Sequence, residues 1–190
     1  MVRPETRRLY LDACATAPLR PGVFERMAEV QAQAWANPSS LHQDGIAAAE
    51  ALERARFQIA SRFASSPDEL VFTSSATESV HLALHGLAGR QATGRLLISA
   101  VEHPAVAGAA QQLIHQGWDV QEWPVDQFGR IRLDLMDELL APPTCLVSLI
   151  WGQSEVGTLQ PLLQVAEACR ASAIPLHTNA TQGVSQGIPS

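Results

Sequence analysis

From residue 95 onward, short apolar runs alternate with segments of helical spacing, and that alternation decides the fold. RLLIS at 95–99, DVQEW at 119–123, CLVSLIW at 145–151 and IPLHT at 174–178 each have the length and composition of a strand. Between them Pro104–Gln116, Leu133–Leu140 and Pro161–Ser172 carry helical patterning. Gly117 ends the first of these helices, Pro142-Pro143 stops the second, and Pro161 occupies the first turn of the third. ELVFT at 69–73 reads as one more short buried strand ahead of a helix at Glu78–Leu87. Further upstream, 9–12 reads as a short strand or arm, and Gly22–Trp35 and Ile46–Phe63 read as helices. Strands separated by single helices make βαβ units. The predicted class is therefore α/β, a mostly parallel sheet flanked by helices.

A parallel sheet binds ligands outside the carboxyl ends of its strands. The chemistry is therefore expected just after Thr73, Ser99, Trp151 and Thr178. The first of these points carries Ser74-Ser75-Ala76-Thr77-Glu78 at a helix start, where free amides suit an anion. The same residues also suit a plain capping box, with Ser75 as cap and Glu78 as its partner. The second carries Glu102-His103-Pro104, and a residue before proline is driven out of helical geometry toward the crevice. The third carries Gly152-Gln153-Ser154-Glu155 and the fourth Asn179-Ala180-Thr181-Gln182. Each alone is an ordinary turn or cap. Their convergence on one sheet edge marks a site.

The totals narrow the partners. Net charge is −6, against a nucleic-acid partner. Cys14, Cys145 and Cys169 form no paired or metal-ligand spacing, which points to a reducing compartment and to no zinc. The first 18 residues hold no run apolar enough for a signal peptide or a membrane span, so the expected location is cytoplasmic. All 13 basic residues are arginine, and no lysine occurs in the 190 residues. No Schiff base can form through a lysine amine of this chain.

Six blocks, in order, resemble those of cysteine desulfurases and related class V aminotransferase-like enzymes of fold type I. They are YLDACATAP, NPSSLH, FTSSATES, SAVEHPAV, WGQSEVGTLQP and HTNATQGVSQGIP. The resemblance implies the front part of a large domain that binds pyridoxal 5'-phosphate (PLP). Residues 1–15 would be an N-terminal arm contributing to a small domain, and 16–190 an incomplete PLP-binding large domain. It further implies that Ala76 and Thr77 hold the cofactor phosphate. His103 would stack on the pyridine ring and assist proton transfer, Ser154 and Gln182 would lie near the ring hydroxyl, and Asn179 would face the ring nitrogen.

Three departures stand out. Ser75 replaces a glycine, which is expected to constrain the phosphate turn. Gln153-Ser154 replaces Asn-Asn. Asn179 replaces the aspartate that pairs with a protonated pyridine nitrogen, and a neutral amide favours that cation less than a carboxylate does.

The implied activity is PLP-dependent removal of sulfur from L-cysteine, giving alanine and an enzyme persulfide for sulfur transfer and iron–sulfur cluster assembly. A homodimer and a sulfur-acceptor or scaffold protein would be its partners. The family's Schiff-base lysine and persulfide cysteine follow the matched region, so this chain alone is expected to be inactive. A C–S lyase or selenocysteine lyase relative stays open, as does a non-catalytic remnant or dimerisation fragment. The family's sheet would continue past Ser190, so an unpaired edge and an exposed apolar face are expected.

Overall fold

The computed structural model describes residues 9–186, with side chains to residue 184. These residues form two compact units that meet between Phe72 and Thr73. The first unit contains α1 (Val23–Gln33) and α2 (Gln43–Arg62). The second contains α3 (Ala76–Ala88), β1 (Arg95–Ser99), α4 (Pro104–His115), β2 (Asp119–Trp123), α5 (Met136–Leu140), β3 (Thr144–Ile150), α6 (Leu162–Ala171) and β4 (Leu176–Asn179). The four strands are parallel, in the order β2-β1-β3-β4. The predicted class stands.

Each strand of the sheet centre sends alternate side chains to opposite faces. On one face Leu96, Ile98 and Leu146 pack with Val80 and Leu84 of α3 and with Val106, Ala109 and Leu113 of α4. On the other, Leu97, Val147 and Leu149 pack with Leu139 and Leu140 of α5 and with Val165 and Cys169 of α6. Burial on both faces is why RLLIS and CLVSLIW are almost wholly apolar. The chain steps outward from β1 to β2, then returns to place β3 on the other side of β1. The reversal leaves a crevice at the carboxyl ends of β1 and β3.

One expected strand is absent, and of the two readings kept for 9–12, strand or arm, the strand does not form. ELVFT forms no strand: Pro67–Glu69 is a 3₁₀ turn, and residues 70–73 pair with no strand among the described residues, the Leu70 carbonyl accepting from the Arg56 guanidinium instead. Val71 and Phe72 are exposed rather than buried. Apolar composition makes a strand only where another strand supplies hydrogen-bond partners. Residues 9–12 lie exposed. The three cysteines differ in burial. Cys169 is buried, Cys145 only half-buried, and Cys14 is exposed.

Candidate functional site

The first predicted anchor is the start of α3. Ser75 caps the helix, its hydroxyl accepting from the Glu78 amide at 3.2 Å. Glu78 reaches back one residue further than a capping box requires. Its Oε2 accepts from both the amide and the hydroxyl of Ser74, each at 2.6 Å. These bonds hold the Glu78 carboxyl below its ordinary pKa. Ser75 has φ −163° and ψ 163°, an extended conformation open to any residue, so the serine does not constrain the turn as expected. Two of the helix's first amides, those of Ala76 and Thr77, have no acceptor among the described residues. With 13 residues α3 is about 20 Å long. Its carboxyl end leads into the start of β1, so its amino end lies toward the carboxyl edge of the sheet.

His103 caps α4. Its Nδ1 accepts from the Ala105 amide at 3.1 Å, which leaves Nε2 as the ring edge free to meet a ligand. The residue is exposed. Glu102, just before it, turns inward. Its Oε1 accepts from Ser99 Oγ and from the Ile150 amide, both at 2.6 Å. Its Oε2 is buried with no partner among the described residues. Burial pushes this carboxyl up to about 7.

After β3, the Gln153 side chain is spent on its own turn, its Oε1 accepting from the amides of Glu155 and Val156 at 2.6 and 2.8 Å. Ser154 follows, half-buried. Opposite, buried Gln160 fastens the loop that carries Phe128. Its Oε1 accepts from the Ile131 amide and its Nε2 donates to the Gly129 carbonyl. These loops enclose a cavity of about 710 Å³ lined by Glu102, His103, Phe128, Ser154, Glu155 and Thr158 among others. That size suits a cofactor or small substrate.

The predicted residues therefore fall into groups. His103 and Ser154 line this cavity; Ala76, Thr77, Asn179 and Gln182 do not. Asn179 ends β4, in register with Ile150 of β3. It is buried, and its Oδ1 accepts from the amide and the hydroxyl of Thr181 at 3.2 and 2.8 Å. Gln182 is half-buried in the turn beyond it. The turns after β3 and β4 touch. A Cβ on Gly152 would meet the Gly183 backbone at 3.4 Å, and a Cβ on Gly183 would overlap the Trp151 indole.

Sequence reasoning named Glu102 only as the neighbour of His103 and gave it no role. The available signal was an acidic residue directly behind an apolar strand at the ligand-binding edge. Among the described residues no cluster of three metal-ligating side chains occurs, and no helix is long and apolar enough to cross a membrane.

The residues can be tested against the implied cofactor. The α3 amides suit a phosphate, the cavity suits a ring, and the free edge of His103 suits a ring face or a mobile proton. At Asn179 the oxygen is already occupied by Thr181, so the amide nitrogen is what remains to offer. It is a donor, and it fits an unprotonated pyridine nitrogen rather than a cationic one. The groups present fit pyridoxal phosphate, with that one difference in polarity and without a lysine.

Residues 9–188 match the family described as aminotransferase class-V. A cysteine desulfurase of Archaeoglobus fulgidus, IscS 1, is 37% identical over 179 residues, 93% of this chain and 47% of that protein. The cysteine desulfurase of Homo sapiens is 35% identical, covering 97% of this chain and 41% of the human protein. Among solved structures, a NifS-like protein superposes with a TM-score of 0.87 at 32% identity, over 92% of this chain and 49% of that one. A structure described as SspA in complex with cysteine gives 0.83 at 34% identity, over 89% and 49%. The chain spans about half the length of the relatives it matches.

Proposed function

The chain belongs to the aminotransferase class-V family, and from that premise we propose that it builds the cofactor-binding part of a PLP-dependent cysteine desulfurase. The carrying observation is the shared crevice at the ends of β1 and β3, where His103 and Ser154 line one cavity and a buried carboxyl closes its base. The desulfurase relatives and the cysteine-bound structural neighbour support L-cysteine as substrate.

In this reading the amides of Ala76 and Thr77 hold the phosphate and orient the ring. Asn179 donates from its amide nitrogen to the ring nitrogen, while Thr181 fixes the amide's rotation. Ser154 and Gln182 offer polar contacts to the ring hydroxyl. His103, held by the Ala105 amide at Nδ1, presents Nε2 to the ring face and carries a proton to or from the substrate carbon. When bound, the pyridoxal group supplies the sink that withdraws charge from that carbon. The net reaction breaks the C–S bond of cysteine. Sulfur passes to a thiolate as persulfide, and the carbon skeleton takes a proton and leaves as alanine. Burial raises the thiols of Cys145 and Cys169, the latter to about 11, which makes both poor thiolate acceptors.

Products of L-cysteine turnover by the whole protein test this. With a thiol reductant added to discharge the persulfide, alanine released in step with sulfide is expected. Pyruvate and ammonia would instead assign a C–S lyase. A second reading, favoured by the absence of lysine, is that these 190 residues hold the cofactor without turning over substrate. Its test is dialysis. PLP added to the chain should be lost completely, with no borohydride-stable adduct.

A further inference from the structure

We infer that Glu102 is a positioning residue that works as an uncharged carboxylic acid, clamping the end of β1 to the end of β3 and so fixing His103 and the Ser154 turn at the crevice. The clamp spans the point where strand order reverses. Ser99 closes β1 and Ile150 closes β3, both are buried, and both donate to the same oxygen, Glu102 Oε1. His103 is the next residue along one arm; Ser154 lies four residues beyond Ile150 along the other.

The geometry also fixes the charge. Oε2 is sealed from water and has no donor among the described residues. An ionised carboxylate needs its acceptor sites filled or a cation nearby. Among the described residues no arginine lines the cavity. The titratable groups around the clamp are His103 beside it, Glu155 on the cavity lining, and His177 on β4, which bonds Ser148 two residues before Ile150. None of them bonds either carboxyl oxygen. Below about pH 7 the proton therefore sits on Oε2, burial having raised the carboxyl against the pull of the bonds from Ser99 and Ile150. Once the carboxyl is ionised, Oε1 becomes the stronger acceptor, but the buried Oε2 has to draw in water, and that water parts the two loops.

The functional side of this inference rests on the reading of His103 and Ser154 as ring contacts; the clamp itself does not. Carbon-13 NMR of the Glu102 carboxyl and the nitrogen-15 signal of the Ile150 amide, followed in the full chain from pH 5 to 9, test the clamp. One shared transition near neutrality is expected. The Ile150 transition should vanish in Glu102→Gln, which keeps an oxygen acceptor and has no proton to lose. A carboxyl that titrates in the ordinary carboxylate range, or an Ile150 amide that ignores it, overturns the inference. The wild-type carboxyl titration needs no variant, so a poorly folding variant does not block the test.

PLP titrations give the second readout. The affinity ratio of Glu102→Gln to wild type should rise at least threefold between pH 6 and 8.5. Glu102→Ala should bind at least tenfold more weakly than wild type at pH 6. An alanine variant with wild-type affinity and pH profile would overturn positioning. A clamp that titrates as expected in a chain that binds no PLP at any pH would leave the clamp standing and overturn the cofactor reading.

Discussion

Two half-buried titratable side chains push the folded protein in opposite directions as pH changes. Glu102 is raised from an ordinary 4.5 to about 7, so the stability it contributes is complete below 4.5 and is lost as pH rises through 7. His177 is lowered by burial from 6.5 to about 4, so its contribution is complete above 6.5 and is lost as pH falls through 4. Each is worth about 3 kcal/mol over its window. In the overlap they cancel, because folding moves one proton onto Glu102 and one off His177. Wild-type stability should therefore be nearly flat between pH 4.5 and 6.5 so far as these two groups act. Glu102→Gln should unmask the histidine and lose stability on acidification relative to wild type. His177→Gln should unmask the carboxyl and lose stability as pH rises. Urea midpoints across pH check both; variant profiles parallel to wild type would break the linkage. Asn179 supports a further prediction. Asn179→Asp keeps an oxygen for Thr181 and turns a second one toward the ring nitrogen, so PLP should bind about tenfold more tightly by absorbance titration. Asn179 could be singled out from sequence because it stands at a strand end in a recognisable motif. The role of Glu102 could not, since its decisive partner, the Ile150 amide, is 48 residues away.

At the scale of elements, patterns that need only local chemistry were legible. Strands at 95–99 and 119–123 appear with the predicted bounds, and α4 ends at His115, one residue short of the predicted Gln116. The helix start after Ser75 was also legible, as Ser75 caps α3 through the Glu78 amide. Ser75→Ala should cost about 1 kcal/mol, read from the shift in urea midpoint. Ser75→Gly should cost less, because glycine is itself a tolerated cap. Leu70–Thr73 was misread for a physical reason. Its composition is that of a buried strand, but pairing is a property of two segments, and no described strand lies beside it. The reach of Glu78 to Ser74 was also invisible, because a capping motif does not say which amide the carboxylate will choose.

Across the whole molecule, burial is unevenly shared. Ala48 and Ala60 are the only buried hydrophobic residues described before Phe72; all the others lie in the unit that follows. That unit covers both faces of its sheet with helices, so its central strands are sealed by Leu96, Leu97, Leu146, Val147 and Leu149. In the first unit α1 and α2 leave Phe24, Met27, Leu52 and Phe57 exposed. Helices stabilised mainly by their own hydrogen bonds open at far lower free energy than strands inside a packed core. Hydrogen exchange should therefore divide the chain near residue 72. Amides of β1, β3 and α4 should exchange only through global opening, and those of α1 and α2 at least a hundredfold faster. Equal protection in α2 and β3 would mean that some cover shields the α2 apolar side chains. The same division bears on the site. Glu102, His103, Ser154 and Asn179 all hang from the protected sheet, so their geometry should persist while the first unit opens and closes.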